Sequence, residues 1–327
     1  MERIFSDDVE ENEVNREVLL RPSDFSEYIG QKRVVQNIDV MVESAKLRNQ
    51  SMDHVLLSGP PGLGKTSLAM IIAKALGSEL HVISGPAIEK KGDLAALLTN
   101  LGPRDVLFID EIHRMHISVE EILYSAMEDY RLDIVIGDGA AARTMQIEIA
   151  PFTLIGATTR AGLLSNPLRD RFMAQFHFDF YTPEELSMII SNNAKKLKID
   201  IEVEAMLKMA RCSRGTPRIA NRILRRVRDF AVVRKSNTVS VDDVNHSLDM
   251  MEIDENGLDR MDRKILTVIS EYYSGGPVGI EALSATLSED KNTIEDVYEP
   301  FLLKEGFLLR TPRGREISDK TREILEN

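Results

Sequence analysis

The sequence predicts an α/β protein in which a five-stranded parallel sheet is followed by a helical lid domain and a C-terminal winged-helix domain. Three observations predict this fold class. A glycine-rich segment, "GPPGLGKT", separates an apolar strand pattern from an amphipathic helix. Four more strand patterns alternate with helices, which is typical of a parallel sheet covered on both faces. The last part of the chain shows three helical patterns and then a hairpin.

The first element is a phosphate-binding loop between a strand and a helix, in "DHVLLSGPPGLGKTSLAMIIAKALG". Glycines at this spacing let backbone N–H groups curl around phosphate oxygens at a helix N-terminus. The lysine then reaches the β- and γ-phosphates, and the hydroxyl that follows it binds Mg²⁺. This indicates a P-loop NTPase core that binds ATP or ADP with Mg²⁺, through Gly59, Gly62, Leu63, Gly64, Lys65, Thr66 and Ser67.

Two later strand patterns end in groups suited to hydrolysis. The strand in "DVLFIDEIHRM" ends in Asp110, expected to hold a water of the Mg²⁺ shell, and Glu111, expected to polarise the attacking water. The strand in "FTLIGATT" ends in two hydroxyls, and either Thr158 or Thr159 is a candidate to bond the γ-phosphate or that water. For His113 a packed or solvated role is as well supported as a functional one.

Helical spacing continues from "YTPEELSMII" to "NHSLDMM", with helix starts expected at Thr182 and Ser240. A glycine-containing acidic segment then marks a boundary near Gly257. We therefore expect a large domain at 1–181, with a flexible acidic N-terminal segment and a protruding hairpin near 130–150. The helical lid is expected at 182–255 and the winged helix at 256–327.

Composition narrows the class of protein. The formal charge of −12 means that any nucleic-acid contact must come from a local basic patch. A single cysteine, Cys212, excludes an internal disulfide and disfavours a zinc cluster. The apolar runs are of strand length and the N-terminus is acidic, so we expect a cytoplasmic protein with no membrane contact.

The motifs "DEIH", "GATT", "NPLRDRF" and "GTPRIANRILRRVRDFA" occur in the order found in AAA+ ATPases, which the chain resembles. The resemblance implies that Arg171 is an arginine finger acting in trans on a neighbouring subunit's site. It also implies that Thr158 is the sensor-1 residue and Arg218 the sensor-2 arginine of the lid. For Arg225, Arg226 and Arg228 of the last motif, a solvated helix face is the preferred interpretation.

A narrower resemblance is carried by "RPSDFSEYIGQ", "LDIVIGDGAAAR", "PFTLIGATTRAGLLSNPLRDRF" and "TPRGR", and covers about residues 21–315. These segments are similar to the bacterial motors that drive branch migration of Holliday junctions. The resemblance implies that the adenine lies near Leu20, Arg21, Tyr28, Ile29 and Tyr181. Ordinary packing is the alternative for Leu20 and Tyr28. One departure is Met173, where the family pattern has a glycine.

The C-terminal hairpin "GFLLRTPRGREI" carries the basic patch. From Lys304 to Arg315 the charged residues are Lys304, Arg310, Arg313 and Arg315 against Glu305, a local net charge of +3. Guanidinium groups on a protruding hairpin suit phosphate contacts, which are independent of base sequence. We therefore predict DNA contacts by Arg310, Arg313 and Arg315, with protein docking as the alternative role of a winged helix.

A second hairpin is predicted within "YRLDIVIGDGAAARTMQIEIAP". Apolar residues alternate along it without obvious cover, at Ile134, Ile136, Met145, Ile147 and Ile149. Exposed apolar surface of this kind usually marks a partner. The family resemblance assigns the hairpin to a junction-binding protein, with Met145 and Ile147 as contacts, whereas packing against the hairpin's own domain is equally consistent with the sequence.

The resulting prediction is a homo-hexameric ATPase that moves the duplex arms of a Holliday junction, together with the junction-binding protein and a resolvase in a larger complex. The alternative is a loader that uses ATP to place another protein on DNA. Clamp loaders carry "SRC" where this chain has "LRDRF", and they lack the apolar hairpin. A regulator with a vestigial nucleotide fold is disfavoured by the intact set of Lys65, Thr66, Asp110, Glu111 and Arg171.

Overall fold

A five-stranded parallel sheet, as predicted, organises the first half of the computed structural model, which describes residues 19–136, 143–234, 236 and 238–326. The predicted acidic tail before residue 19 lies outside the described residues. The strand order is β2-β3-β6-β1-β7. The strands of this half of the chain are β1 (Val55–Ser58), β2 (Leu80–Ser84), β3 (Val106–Asp110), β4 (Arg131–Ile136), β5 (Arg143–Glu148), β6 (Thr153–Thr158) and β7 (Ala174–His177).

Helices cover this sheet and supply its core. Their bounds are α1 (Lys32–Arg48), α2 (Lys65–Leu76), α3 (Lys91–Thr99), α4 (Ile117–Asp129) and α5 (Asn166–Asp170). Strands β1, β3 and β6 are buried along almost their whole length, as expected for central parallel strands. Leu94 of α3, Leu123 of α4 and Phe152 before β6 belong to one buried cluster. The carboxyl ends of the parallel strands therefore meet at one fixed edge.

The predicted hairpin is present as β4 and β5, which pair antiparallel with Ile134 opposite Met145. Its predicted tip, residues 137–142, and the side chains at 134 and 136 lie outside the described part of the structure. Ile149 is buried and Ile147 packs against the core of its own domain, whereas Met145 is 46% exposed. The packing alternative is thus correct for Ile147 and Ile149, and only Met145 keeps an exposed apolar side chain among these described three.

Among its described residues, the lid contains four helices: α6 (Pro183–Leu197), α7 (Val203–Arg211), α8 (Pro217–Val233) and α9 (Val241–Met250). Both predicted starts are confirmed, because Thr182 and Ser240 form capping boxes with the acidic residues three positions later. Two short strands, β8 (Asp200–Ile201) and β9 (Thr238–Val239), pair in parallel between the helices. Apolar faces of the four helices then supply the lid's buried residues.

The C-terminal part has the predicted winged-helix order of three helices and a hairpin. A third helical stretch, α12, runs in consecutive pieces through Lys291–Thr293, Ile294–Tyr298 and Glu299–Lys304, of which the middle piece is π-helical. A further helix after the hairpin was not predicted. The remaining elements are α10 (Arg260–Tyr272), α11 (Ile280–Leu287), β10 (Leu308–Thr311), β11 (Gly314–Ile317) and α13 (Asp319–Glu326).

The chain falls into two compact units, each of which is discontinuous in sequence. The ATPase unit comprises Arg21–Gly59 and Gly64–Asp179. The lid-wing unit comprises, among the described residues, 19–20, Pro60–Leu63 and 180–326. Four residues of the phosphate loop are thus grouped with the lid and the winged helix.

Candidate functional site

The phosphate loop adopts backbone angles that only glycine accepts without strain. Gly59, Gly62 and Gly64 have φ values of +136°, +79° and +97°. In the ATPase unit, a Cβ atom on Gly59 would lie 2.7 Å from the carbonyl oxygen of Phe178. The absence of side chains therefore leaves the loop's N–H groups accessible for phosphate oxygens.

Lys65 opens helix α2 and is only 7% exposed. Its Nζ donates to the Gly59 carbonyl oxygen at 2.6 Å, which curls the side chain back over the loop. Burial lowers the pKa of Lys65 to about 8, while the charges of Glu111 and Asp110 oppose the shift. Thr66 and Ser67 follow in the first helical turn and are half-buried. This N-terminus combines a cation, hydroxyls and backbone donors, a set suited to a polyphosphate.

The paired carboxylates lie where strand β3 ends. The backbone N–H of Glu111 donates to the Asp110 carboxylate at 3.0 Å, and Glu111 has a φ of +48°, rare for a residue with a side chain. Gly85 makes room for this turn, since a Cβ there would lie 2.5 Å from the Glu111 carbonyl oxygen. Sequence reasoning missed Gly85, although it directly follows the strand "LHVIS".

The Glu111 carboxylate is held by hydrogen-bonding groups while its side chain stays 29% exposed. Its Oε2 accepts from the Thr159 hydroxyl at 3.1 Å and lies 3.2 Å from His113 Nδ1. Thr158 is fully buried, and its hydroxyl lies 2.9 Å from the same His113 nitrogen. Thr159 therefore contacts the Glu111 carboxylate directly, whereas Thr158 contacts it through His113. A partly exposed, oriented carboxylate of this kind can polarise a water.

Arg171 lies just after α5, on the surface of the ATPase unit. Its guanidinium stacks over the Tyr124 ring at 4.6 Å and contacts the Glu128 carboxylate at 3.2 Å. Nη1 also donates to the Pro167 carbonyl oxygen at 2.7 Å, so the group is positioned by its own chain. Met173 is 78% exposed and is not among the residues with positive φ. Replacement of the expected glycine therefore leaves the backbone after Arg171 unstrained.

Three of the predicted adenine neighbours, Arg21, Tyr28 and Ile29, belong to the ATPase unit. Tyr28 and Arg21 contact the end of the phosphate loop and helix α2. Tyr28 is buried and its hydroxyl donates to the Gly64 carbonyl oxygen at 3.3 Å. Arg21 Nη1 lies 3.1 Å from the Met70 sulfur, and Ile29 is half-buried. The segment that precedes the sheet thus packs on the phosphate loop and its helix.

In the lid-wing unit, Tyr181 and Arg218 contact residues 60–63 of the phosphate loop. Leu20 and Tyr181 are buried, and the Tyr181 hydroxyl donates to the Leu63 carbonyl oxygen at 3.1 Å. The backbone N–H of Arg218, at the start of α8, donates to the Gly62 carbonyl oxygen at 3.3 Å. The Arg218 side chain is exposed there. A cation at this position can meet a nucleotide phosphate.

The wing corrects one predicted DNA contact. Arg315 is only 6% exposed, and its guanidinium donates to Glu299 at 2.6 Å and to Glu295 at 2.7 Å. Its charge is therefore neutralised by an internal ion pair and does not face solvent. Arg310 is exposed and lies 3.4 Å from Glu295, while Arg313 is exposed at the turn. The cations available for phosphates are Arg310 and Arg313.

One group of side chains outside these regions has the composition of a metal site. The ligand atoms of Glu79, His81 and Asp105 lie within 4.8 Å of one another. His81 Nε2 lies 3.0 Å from Asp105 Oδ2, which also accepts the Gly102 N–H at 2.8 Å. These contacts already satisfy the aspartate, and the group lies at the amino ends of β2 and β3. It is thus separate from the edge at which the catalytic groups meet.

Together, the glycine loop with its buried lysine, the strand-end carboxylates, the hydroxyls that hold Glu111 and the lid arginine define an ATPase of the AAA+ class. Within the described ranges, no helix has the length and apolar character needed to cross a bilayer.

Comparison with known proteins gives the particular family. Residues 20–178 match the Holliday junction DNA helicase RuvB P-loop domain, 181–254 the RuvB AAA lid domain and 255–326 the RuvB C-terminal winged helix domain. The chain belongs to the RuvB family.

Individual relatives agree with this assignment. The chain is 55% identical to the Holliday junction branch migration complex subunit RuvB of Myxococcus xanthus over 97% of this chain and 92% of that one. The Thermotoga maritima RuvB Holliday junction branch migration motor superposes with a TM-score of 0.88 at 50% identity, over 94% of this chain and 98% of that one. An arginine-to-alanine variant of the same Thermotoga protein matches over the same shares at 50% identity, with a TM-score of 0.87.

Proposed function

We propose that this chain is an ATP-driven DNA translocase that catalyses branch migration of Holliday junctions in recombination and repair. The observation that carries the proposal is the Glu111 carboxylate, partly exposed beside the phosphate-loop lysine and fixed by Thr159 and His113. A nucleotide-dependent regulator without turnover needs no such general base. Membership of the RuvB family supplies the substrate of the proposal.

Hydrolysis is assigned to the edge of the sheet. Lys65 holds the β- and γ-phosphates, and Glu111 orients the attacking water and accepts its proton. Thr159 fixes the carboxylate, and Thr158, the predicted sensor-1 residue, fixes His113 beside it. Because phosphoryl transfer depends on positioning and charge rather than covalent chemistry, these rigid contacts favour turnover.

Mg²⁺ fits the donor set. The Thr66 hydroxyl and the Asp110 carboxylate, the latter acting through a water, are hard oxygen donors of the kind that Mg²⁺ prefers. Bound there, Mg²⁺ neutralises charge on the phosphate oxygens. The φ of +97° at Gly64 brings Lys65 and Thr66 onto the first turn of α2, so one short segment supplies both the cation and the hydroxyl.

Further nucleotide contacts are assigned residue by residue in this proposal. Arg218 is assigned to the γ-phosphate as sensor 2. The remaining phosphate-loop residues, Gly59, Gly62, Leu63 and Ser67, contribute backbone and hydroxyl donors. The base is assigned to Leu20, Arg21, Tyr28, Ile29 and Tyr181, which is supported by the two tyrosine hydroxyls that contact loop carbonyls.

The working assembly is a homo-hexameric ring in which Arg171 acts in trans. Its placement at the surface, held by Tyr124 and Glu128, suits a group that is presented to a neighbour. A guanidinium delivered to the γ-phosphate of the next subunit stabilises charge that develops in the transition state. A ring built this way encircles a duplex arm of the junction.

DNA contact is assigned to the exposed Arg310 and Arg313 of the wing, and docking on the junction-binding protein RuvA to the hairpin around Met145. The resolvase RuvC is a proposed member of the larger complex, which acts in the cytoplasm. The domain boundaries near residues 181 and 255 are part of the proposal and are supported by the ranges that the family models match.

The test is ATP-dependent branch migration of a synthetic four-way junction, with and without RuvA. We expect products to appear only with hydrolysable ATP and to increase strongly when RuvA is present. Junction-stimulated ATPase activity without strand exchange, together with ATP-dependent transfer of another protein to DNA, would replace the motor with the loader alternative.

A further inference from the structure

A buried arginine, Arg214, lies between the lid's nucleotide-binding loop and the winged helix, and has no part in the proposed hydrolysis or DNA contacts. It is 6% exposed and has a φ of +55°, and Gly215 follows with a φ of +70°. Two consecutive left-handed residues between α7 and α8 make a sharp reversal, so that adjacent residues face different neighbours. This reversal, residues 60–63 of the phosphate loop and the winged helix all belong to the lid-wing unit.

The Arg214 guanidinium contacts the winged helix through both Nη atoms and through its planar face. Nη1 donates to Asp259 at 2.9 Å and Nη2 to Asp262 at 3.1 Å, while the group stacks on the Phe301 ring at 4.6 Å. Asp259 and Asp262 form the capping box that begins α10. Asp262 is fully buried, so Arg214 is the counter-charge to a carboxylate shielded from water.

Gly215 brings the same loop into contact with the third helix of the winged helix. A Cβ on Gly215 would lie 2.7 Å from Lys304 Nζ and 3.0 Å from the Phe180 Cβ. Lys304 Nζ in turn lies 4.9 Å from the centre of the Phe180 ring. A larger residue would displace the Lys304 side chain, so the loop and α12 are in direct contact.

The next residues of the loop contact residues 60–63 of the phosphate loop. Thr216 caps α8, and Arg218 donates its backbone N–H to Gly62 of the phosphate loop at 3.3 Å. Tyr181 contacts this loop from the other direction: its N–H donates to the Gly215 carbonyl oxygen at 2.9 Å and its hydroxyl to the Leu63 carbonyl oxygen at 3.1 Å. The consecutive residues 214–218 therefore contact both the phosphate loop and the winged helix.

We propose that Arg214 is a positioning residue that couples the nucleotide state of the phosphate loop to DNA binding by the winged helix. The inference rests on the proposed function. When nucleotide displaces residues 214–218, Arg214 moves with them. Its two hydrogen bonds to Asp259 and Asp262 then transmit the movement to α10. Only a planar fork reaches both carboxylates while it stacks on Phe301; a lysine ammonium keeps the charge but gives up the second hydrogen bond and the stacking.

The test compares Arg214→Lys and Arg214→Met with the parent and with Arg234→Lys. Arg234 pairs with Asp243 at 2.7 Å, and both residues belong to the lid. This ion pair does not involve the winged helix, so Arg234→Lys serves as the control. Duplex affinity is measured by fluorescence anisotropy, with and without saturating ADP and with a non-hydrolysable ATP analogue. The coupling is the ratio of duplex affinity with nucleotide to duplex affinity without it. The ratio of nucleotide affinity with duplex to nucleotide affinity without duplex must have the same value.

We expect a nucleotide dependence of duplex affinity of about fivefold or more in the parent and in Arg234→Lys. In both Arg214 variants the dependence should fall to about twofold or less, while each ligand alone binds with near-parental affinity. Duplex stimulation of ATPase activity should fall in parallel. If Arg214→Met does not fold, which its buried Asp262 partner makes a risk, the conservative Arg214→Lys decides the question.

Parental coupling in folded Arg214 variants would overturn the inference, and so would loss of either separate binding affinity, because Arg214 would then be only structural. Failure of the proposed function looks different: the parent itself would show neither strand exchange nor stimulation by duplex.

Discussion

The catalytic edge of the ATPase unit and the wing of the lid-wing unit were both predicted from short motifs, yet the two predictions fare differently. At the edge, the Glu111 carboxylate accepts from the Thr159 hydroxyl and lies 3.2 Å from His113 Nδ1, so residues of separate motifs lie together. On the wing, one of the arginines predicted to contact DNA, Arg315, is buried in an ion pair.

The difference lies in what fixes each side chain. At the edge, parallel strands end side by side, so the backbone alone brings Glu111 and Thr159 together. On the wing, the partners of Arg315 come from a helix, 16 and 20 residues earlier in the chain. Because the arginine side chain is long and flexible, it forms an ion pair with whichever carboxylate the tertiary fold brings close. Motif spacing is therefore reliable for strand-end groups, whereas a count of local charge is not reliable for a hairpin.

The largest expected effect tests the catalytic edge. Glu111→Gln keeps the shape and the hydrogen bond to Thr159 but removes the general base, so ATP turnover should fall by about 10²–10⁴-fold with nucleotide affinity nearly unchanged. Steady-state hydrolysis and equilibrium binding of a fluorescent nucleotide measure the two quantities. The matched control is Glu121→Gln, an exposed carboxylate of the same unit that pairs with Lys91 on the surface. Parental turnover in Glu111→Gln would contradict the assignment of the general base.

The second effect tests the buried arginine of the wing. Arg315→Met removes the closest counter-charge of the buried Glu299, leaving Arg310 at 3.9 Å, and should lower the free energy of unfolding by about 3 kcal/mol. Calorimetry of the whole chain measures the change as a lower transition temperature. Arg313→Met, at the exposed turn, should stay within about 0.5 kcal/mol of the parent. Equal stability in both variants would mean that Arg315 is not held as described.

A smaller effect separates the two exposed arginines from the buried one. Combined Arg310→Ala and Arg313→Ala should weaken duplex binding on unrelated sequences and reduce the salt dependence of log K by about two, since each arginine is expected to neutralise one phosphate. Anisotropy titrations from low to moderate salt measure the slope. An unchanged slope would assign the winged helix to protein docking instead.

The smallest effect distinguishes the neighbouring threonines. Thr159→Val removes the hydroxyl that binds Glu111 and should lower turnover by about tenfold, the value of one hydrogen bond to a charged group. Thr158→Val acts only through His113 and should lower turnover by less than about threefold. Single-turnover hydrolysis resolves the two rates. The reverse order would favour Thr158 as the direct contact, as the family resemblance implies.

Much of this architecture follows from local chemistry. The helix starts at Thr182 and Ser240 were predictable because a capping box is a contact between residues three apart. Gly85 and Arg214 were not, because their roles depend on residues brought close only by the fold: the Glu111 carbonyl group for the glycine and Asp262 for the arginine. The same limit explains Ile147, whose cover comes from its own domain.

In the proposed ring, each hydrolytic site is completed by a neighbouring chain, with Glu111 in one subunit and Arg171 in the next. The decisive experiment mixes Arg171→Ala chains with Glu111→Gln chains, each inactive alone, and follows single-turnover hydrolysis together with steady-state activity. Mixed rings contain interfaces where an intact Glu111 faces an intact Arg171, so we expect hydrolysis to reappear. Confirmed mixed assembly with no recovery in either assay would contradict the trans arginine and the ring motor built on it.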